Sequence, residues 1–169
     1  MEEIILCDID GTIANIDHRR PHVMGKKKDF KTFYAKQSED TLIETTVVVL
    51  EALTIRDGYK LLFVSGRPEK YRKVTEDWLR DKLISFEKKE IVEHRGEKLQ
   101  GRRLFLRPIG LLMRPDDDNR SDAIVKEEIY LNQIKPRYKV FMVFDDRNKV
   151  VDMWRKHGLV CHQVADGNF

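Results

Sequence analysis

Long apolar runs are missing from this 169-residue sequence. Stretches such as Val47-Val48-Val49-Leu50 stop after a few residues, whereas a membrane-spanning helix needs about 20. Cysteine is nearly absent. Cys7 and Cys161 lie far apart, each inside an apolar stretch, so neither a zinc-ligand spacing nor a disulfide framework is present and two buried, reduced thiols are expected. The N-terminus begins with two glutamates and lacks the basic region of a secretory signal. There is no internal repeat and no low-complexity tract. These absences set the expectation of a cytoplasmic protein that does not engage membranes.

What is present is a globular composition, 41% hydrophobic and 36% charged, too apolar for disorder. The length suits one domain with an inserted flap, and folding would remove roughly 70% of the extended-chain surface from water without a metal or disulfide staple. The net charge is only +3, but it is unevenly placed. From Arg19 to Lys36 the basic residues are Arg19, Arg20, Lys26, Lys27, Lys28, Lys31 and Lys36, against Asp29 alone. Such a stripe attracts polyanions, although a solvated, lysine-rich loop has the same composition.

Apolar patterning alternates between strand and helix. Ile4 to Ile9 reads as a buried parallel strand ending at Gly11, and residues 15–40 as a basic excursion or flap without clear periodicity. A helix is predicted from Thr41, with Glu44 completing a capping box, to Gly58. Tyr59–Val64 is a second strand broken at Ser65-Gly66-Arg67-Pro68, and Glu69–Leu83 a helix. Residues 84–107 form a charged insertion of undecided structure. Ile109–Met113, Tyr138–Phe144 and Leu159–Val164 are three further strands, separated by helices at Ser121–Ile134 and Asn148–His157. Strands spaced by such helices predict an α/β fold, a doubly wound parallel sheet of about five strands. Ligands of that architecture bind at the carboxyl ends of the strands.

The polar residues of interest fall at those ends. Asp8 and Asp10 follow the first strand, and continued alternation would point both carboxylates the same way. Two acids so close call for a cation or shared proton between them, with one able to act as nucleophile and the other to move protons. A strand-end turn with an Asx cap has the same sequence. Ser65 and Gly66 close the second strand, where a hydroxyl and backbone N–H groups could hold phosphate oxygens, with Arg67 adding a charged fork. Asp122 and Lys126, four apart on a helix, are either a surface ion pair or a lysine oriented towards the site. Asp145 and Asp146 end the fourth strand and would complete an oxygen site for Mg²⁺.

Taken in order, Asp8-Ile9-Asp10-Gly11-Thr12, Ser65, Lys126 and Asp145-Asp146 resemble the four motifs of the haloacid dehalogenase-like (HAD) phosphohydrolases. The second acid, Asp10, resembles the phosphatase branch of that superfamily. Closer still, Tyr59–Arg67, Asp122–Tyr130 and Phe144–Phe169 are similar to the 3′-phosphatase domain of phage polynucleotide kinase/phosphatase, and Arg19, two residues before Pro21, matches a phosphate-binding arginine there. About His22–Glu39 and Ile84–Arg107 lie outside the similarity. The resemblance implies one Mg²⁺-dependent phosphatase domain over residues 1–169. Asp8 and Asp10 would be catalytic. Thr12, Arg19, Ser65, Gly66, Arg67 and Lys126 would hold phosphate, with Asp122 orienting the lysine. Asp8, Asp10, Asp145 and Asp146 would hold the metal. It further implies nucleic acid 3′ ends, RNA or DNA, as substrate, small phosphate esters being the alternative. A kinase domain is not expected, because Gly96 to Arg103 has P-loop glycine spacing but arginines where Lys and Ser/Thr are required. A separate 5′-kinase or ligase would then be a partner in nucleic acid end repair.

Overall fold

The computed structural model describes residues 1–83, 91–94, 97–100, 106 and 108–167. β1 (Glu2–Cys7) takes its form from four consecutive apolar residues, Ile4 to Cys7, all buried. A strand apolar on both faces needs cover on both, and helices supply it. Ile5 and Cys7 pack towards α3 (Glu44–Glu51) and α4 (Arg72–Leu83), against Val47, Leu50, Trp78 and Leu79. Ile4 and Leu6 pack oppositely, with Val125, Ile129, Val151 and Trp154 of α5 (Asp122–Ile129) and α6 (Asn148–Lys156).

Four more strands complete the sheet: β2 (Lys60–Pro68), β3 (Pro108–Arg114), β4 (Tyr138–Arg147) and β5 (Cys161–Gly167). All neighbours are parallel, in the order β3-β2-β1-β4-β5. The chain runs outward from β1 through β2 to β3, then returns to place β4 on the other side of β1. That reversal opens a crevice at the carboxyl ends of β1 and β4. The α/β sheet and its five strands are as the sequence predicts.

Several local expectations are corrected. No helix starts at Thr41 and no capping box forms. Thr41–Leu42 is extended and pairs antiparallel with Ala14–Asn15, Ile43 N–H donates to Ile13 C=O, and α3 begins at Glu44 without a side-chain cap. Backbone pairing here satisfies the groups that a cap would have served. β2 does not break at Ser65 but runs on to Pro68 through an irregularity in its pairing with β3. The excursion at 15–40 contains two short helices, α1 (Pro21–Met24) and α2 (Phe30–Ala35). Of the 84–107 insertion, the structure describes a hairpin of Ile91–His94 with Glu97–Gln100 and residue 106. Its remaining residues, including Arg102 and Arg103 of the P-loop-like stretch, and the closing Asn168 and Phe169 lie outside the described residues. No helix among the described residues is long and apolar enough to cross a membrane, and both cysteines are buried and unpaired.

Leu6→Ala removes a fully buried side chain from the central strand and is expected to cost about 2–5 kcal/mol in urea unfolding. Val160→Ala, at a position 59% exposed, should stay within about 0.5 kcal/mol.

Candidate active site

At the end of β1 the backbone leaves the strand. Asp8 N–H still donates to Phe144 C=O at 2.9 Å, after which Thr12, Ile13 and Ala14 N–H groups all turn back onto Ile9 C=O. Gly11 makes this turn with φ +84°, and a Cβ there would collide with the Asp146 carboxylate. Both carboxylates face the one crevice, as alternation predicts, but the turn gives them different partners. Because β1 stops at Cys7, Asp8 and Asp10 enter two different clusters.

The first cluster is centred on Lys126, from α5. Its buried ammonium donates to Asp8 Oδ1 at 2.6 Å and Asp145 Oδ2 at 3.0 Å, with Asp122 Oδ2 at 3.5 Å. Burial alone would strip its proton, but the charges of Asp122, Asp145 and Asp8 prevail and hold Lys126 protonated well above the ordinary lysine range. The pair at 122 and 126 is therefore a buried constituent of the crevice floor, not a surface ion pair. Asp122 is shared, since Arg114 Nη2 donates to its Oδ1 at 3.1 Å. The same Oδ1 leaves no room for a Cβ on Gly66. Thr12 Oγ1 donates to Asp8 Oδ2 at 3.4 Å.

Asp145 and Asp146 occupy successive positions on β4 and have unlike surroundings. Asp145 accepts from Lys126, from Trp154 Nε1 at 3.3 Å and from Arg147 N–H at 3.2 Å. Asp146 Oδ2 is buried and has no hydrogen-bond partner among the described residues. Burial and the Asp145 charge push Asp146 up to about 6; burial likewise raises Asp8, with Asp145 and Asp146 adding to it. Oxygen atoms of Asp8, Asp145 and Asp146 lie within 4.8 Å of one another. Three buried carboxylates, one of them orphaned, against a single ammonium form a donor set suited to a hard divalent cation.

The second cluster surrounds Asp10. Its Oδ1 accepts from Arg19 Nη2 at 2.6 Å and from Arg67 Nη2 and Nε at 2.5 and 3.0 Å. Burial acts to raise Asp10, but the two guanidinium groups outweigh it and bring the carboxyl down to about 2. Both arginines are fully buried. Asp40, which the sequence reading overlooked, makes that possible: it accepts from Arg19 Nε and Nη2, both at 2.7 Å, and from Arg67 Nη2 at 2.9 Å. Gln37 and Thr75 take Arg67 Nη1, at 3.0 and 3.4 Å. Ser65 lies fully buried beneath, its hydroxyl accepting Arg67 N–H at 3.2 Å.

A cavity of about 1010 Å³ opens over both clusters. Asp8, Asp10, Gly66, Asp122 and Asp146 reach its lining, whereas Thr12, Arg19, Ser65, Arg67, Lys126 and Asp145 are buried and stand behind that surface.

A parallel sheet with paired acids at two adjacent strand ends and a buried lysine between them has the form of a HAD-type phosphatase. The chain belongs to the polynucleotide kinase PNKP phosphatase domain family, whose pattern it matches over residues 2–169. It is 26% identical over 151 residues to a protein of Autographa californica nuclear polyhedrosis virus named as a bifunctional polynucleotide kinase/RNA ligase, covering 89% of this chain and 17% of that protein. A chain in the structure of the Pnkp1/Rnl/Hen1 RNA repair complex aligns over all of this chain and 44% of its own length, with a TM-score of 0.75 and 31% identity. The chain thus spans less than half the length of either relative. The class C acid phosphatase of Bacillus anthracis, at 14% identity and a TM-score of 0.50 over 86% of this chain and 52% of that one, shares the fold.

The Asp10 carboxyl lies lower in the folded chain than its ordinary 3.8, so its contribution is complete above about pH 4 and lost as pH falls towards 2. The shift corresponds to about 2 kcal/mol. The stability gap between wild type and Asp10→Asn, measured by urea unfolding in EDTA, should therefore close by that amount between about pH 5 and pH 2. A constant gap would show that the arginines do not hold the carboxylate.

Proposed function

We propose that the chain is a Mg²⁺-dependent polynucleotide 3′-phosphatase working through an aspartyl-phosphate. The observation that supports this most directly is the division of the crevice into an anionic half, Asp8 with Asp145, Asp146 and Lys126, and a half where two buried arginines grip Asp10. A phosphate monoester needs a nucleophile, a proton donor and compensating positive charge, and the two halves provide all three.

Asp8 is positioned as nucleophile. Lys126 on Oδ1 and Thr12 on Oδ2 fix the carboxylate. In the first step an Asp8 oxygen bonds to phosphorus while the bond from phosphorus to the 3′ oxygen breaks, and protonated Asp10 gives its proton to that oxygen. In the second, Asp10 takes a proton from water as the water oxygen attacks phosphorus. The bond from Asp8 to phosphorus breaks, phosphate leaves, and Asp10 passes its proton to solvent as Arg19 and Arg67 regain the carboxylate; it takes up a proton from solvent again when the next phosphate draws the arginines away.

In the resting crevice Asp10 is ionised, held so by Arg19 and Arg67. A phosphoryl dianion competes for those same guanidinium groups, and each bond transferred to it lets the Asp10 carboxyl rise towards the range a general acid needs. Phosphate binding and arming of the acid are one event in this scheme. Asp8, Asp145 and Asp146 suit Mg²⁺, with Asp146 the direct ligand because its Oδ2 is otherwise unpartnered. When bound, Mg²⁺ would offset the charge of the phosphoryl oxygens and of the acids themselves.

RNA ends are the first substrate to try, since the named relatives are an RNA ligase fusion and members of an RNA repair complex. The same names support a 5′-kinase and a ligase as working partners. The deciding experiment measures phosphate release, with Mg²⁺ and with EDTA, from matched oligonucleotides bearing a 3′- or a 5′-phosphate. Metal-dependent release from the 3′ end alone is the expected result, and Asp8→Asn should lower it by about a thousandfold or more while leaving the thermal melt in place. Release from neither end, with turnover of small esters, would make the chain a metabolite phosphatase. Asp146 adds a pH test: its proton competes with the metal, so Mg²⁺ affinity should rise with pH up to about 6 and level off above it. Calorimetric titration of wild type and Asp146→Asn reads this directly, and a pH-independent wild type would remove Asp146 as a ligand.

A further inference from the structure

One wall of the cavity contains none of the motif residues. Phe30 and Tyr34 are four apart on α2 and so share a helix face. Their ring centroids are 6.4 Å apart with planes inclined by 21°, and Tyr34 in turn stacks on Tyr71 at 4.9 Å and 28°. Three nearly parallel rings thus form a row along the cavity, which all three line. The adjacent Phe33 turns inward and lies 4.2 Å beneath the Arg19 guanidinium, tying the helix to the phosphate end of the site.

The middle of the row is close to the chemistry, for Tyr34 is adjacent to Phe33 beneath Arg19 and feels the charge of Asp10, which with burial pushes it up to about 12. At the outer end Phe30 is 51% exposed and Met24, also on the cavity, 65%. Among the described residues no second ring stacks on Phe30 beyond Tyr34. Cationic groups interleave with these apolar ones. Lys28, Lys31 and Lys70 line the same cavity, and among the described residues Lys28 and Lys31 have no ion-pair partner.

An aromatic face set among lysines, continuous with a phosphate-processing crevice, suits a ligand that alternates flat apolar groups with anions. We propose that Phe30 is a stacking surface for the nucleobase at a single-stranded, 3′-phosphorylated end, with Lys28 and Lys31 meeting phosphates further along the strand. The inference rests on the polynucleotide reading above and deepens it with a single-stranded end, whose unpaired terminal base is free to turn onto the ring. Every base offers such a face, so recognition would be nearly indifferent to sequence. Its strength should depend on salt through the lysines.

The test is a two-by-two comparison at fixed ionic strength. Wild type and Phe30→Ala are assayed for phosphate release from short single strands whose 3′-phosphorylated terminal nucleotide either has its base or is abasic. With the base present, Phe30→Ala should raise KM about tenfold, the range expected for loss of one base–aromatic stack. With the base absent, wild type should lose the same factor and the two proteins converge. Phe30→Tyr should restore the wild-type KM. Equal KM values for wild type and Phe30→Ala on the base-containing strand would overturn the proposal. So would an undiminished Phe30→Ala deficit on the abasic strand, which would make the ring's role structural. Wild type that hydrolyses nitrophenyl phosphate but no 3′-phosphorylated strand would instead refute the polynucleotide reading, and the stacking surface with it.

Discussion

Everything at the crevice hangs on one buried ammonium. Lys126 comes from α5, yet its two short bonds go to Asp8, just past the end of β1, and to Asp145 in β4. These adjacent central strands lie where the winding of the sheet reverses, so the lysine spans the gap that this topology opens. Removing it would leave several buried carboxylates facing one another, a more costly arrangement than the absence of all of them. The same ammonium also shares its charge among carboxylates and cannot neutralise them all. That shortfall leaves a buried acidic cluster only partly compensated, with one oxygen of Asp146 unpartnered.

Opposite charge is handled separately. Arg19 and Arg67 could not be fully buried beside Asp10 alone, because two guanidinium groups against one carboxylate leave a buried net charge. Asp40 balances the account on the flap side, so that two arginines meet two carboxylates. Trp78 Nε1, which donates to Asp40 C=O at 2.8 Å, locks the flap's closing segment onto α4. A loop that is basic overall therefore owes its attachment to one acid. Asp40→Asn would disturb the arginines and Asp10 at once, as expected of a group that positions others.

Most of the motif residues were legible because they follow directly on an apolar run, and apolar runs are visible in the sequence. Ile4–Cys7, Leu61–Val64 and Val140–Phe144 mark three central strands on hydrophobicity alone, and Asp8, Ser65 and Asp145 come next in line. Orientation was less legible. Alternation puts Asp8 and Asp10 on one crevice, but the turn at Gly11 gives them separate partners that no strand pattern shows. The predicted capping box failed for a related reason: Thr41 and Glu44 have the right spacing, but the partner strand at Ala14–Asn15 was too short to be visible as a pattern. Asp40 was missed because its partners are 21 and 27 residues away, a tertiary relation without local signature.

The flap shows how composition and placement contribute differently to function. Its lysines were evident from the sequence and were equally consistent with a solvated loop. Once α2 is seen, the aromatic spacing adds a second feature to the lysines, because a helix brings Phe30 and Tyr34 to one face while Phe33 goes under Arg19. One short helix thus meets the buried Arg19 with one residue and the open cavity with two others. Residues on the sheet ends determine which bond is broken, and they recur across phosphatases that share the fold. Substrate identity has to come from what is added to the sheet, and at this crevice the flap is an addition that reaches both Arg19 and solvent.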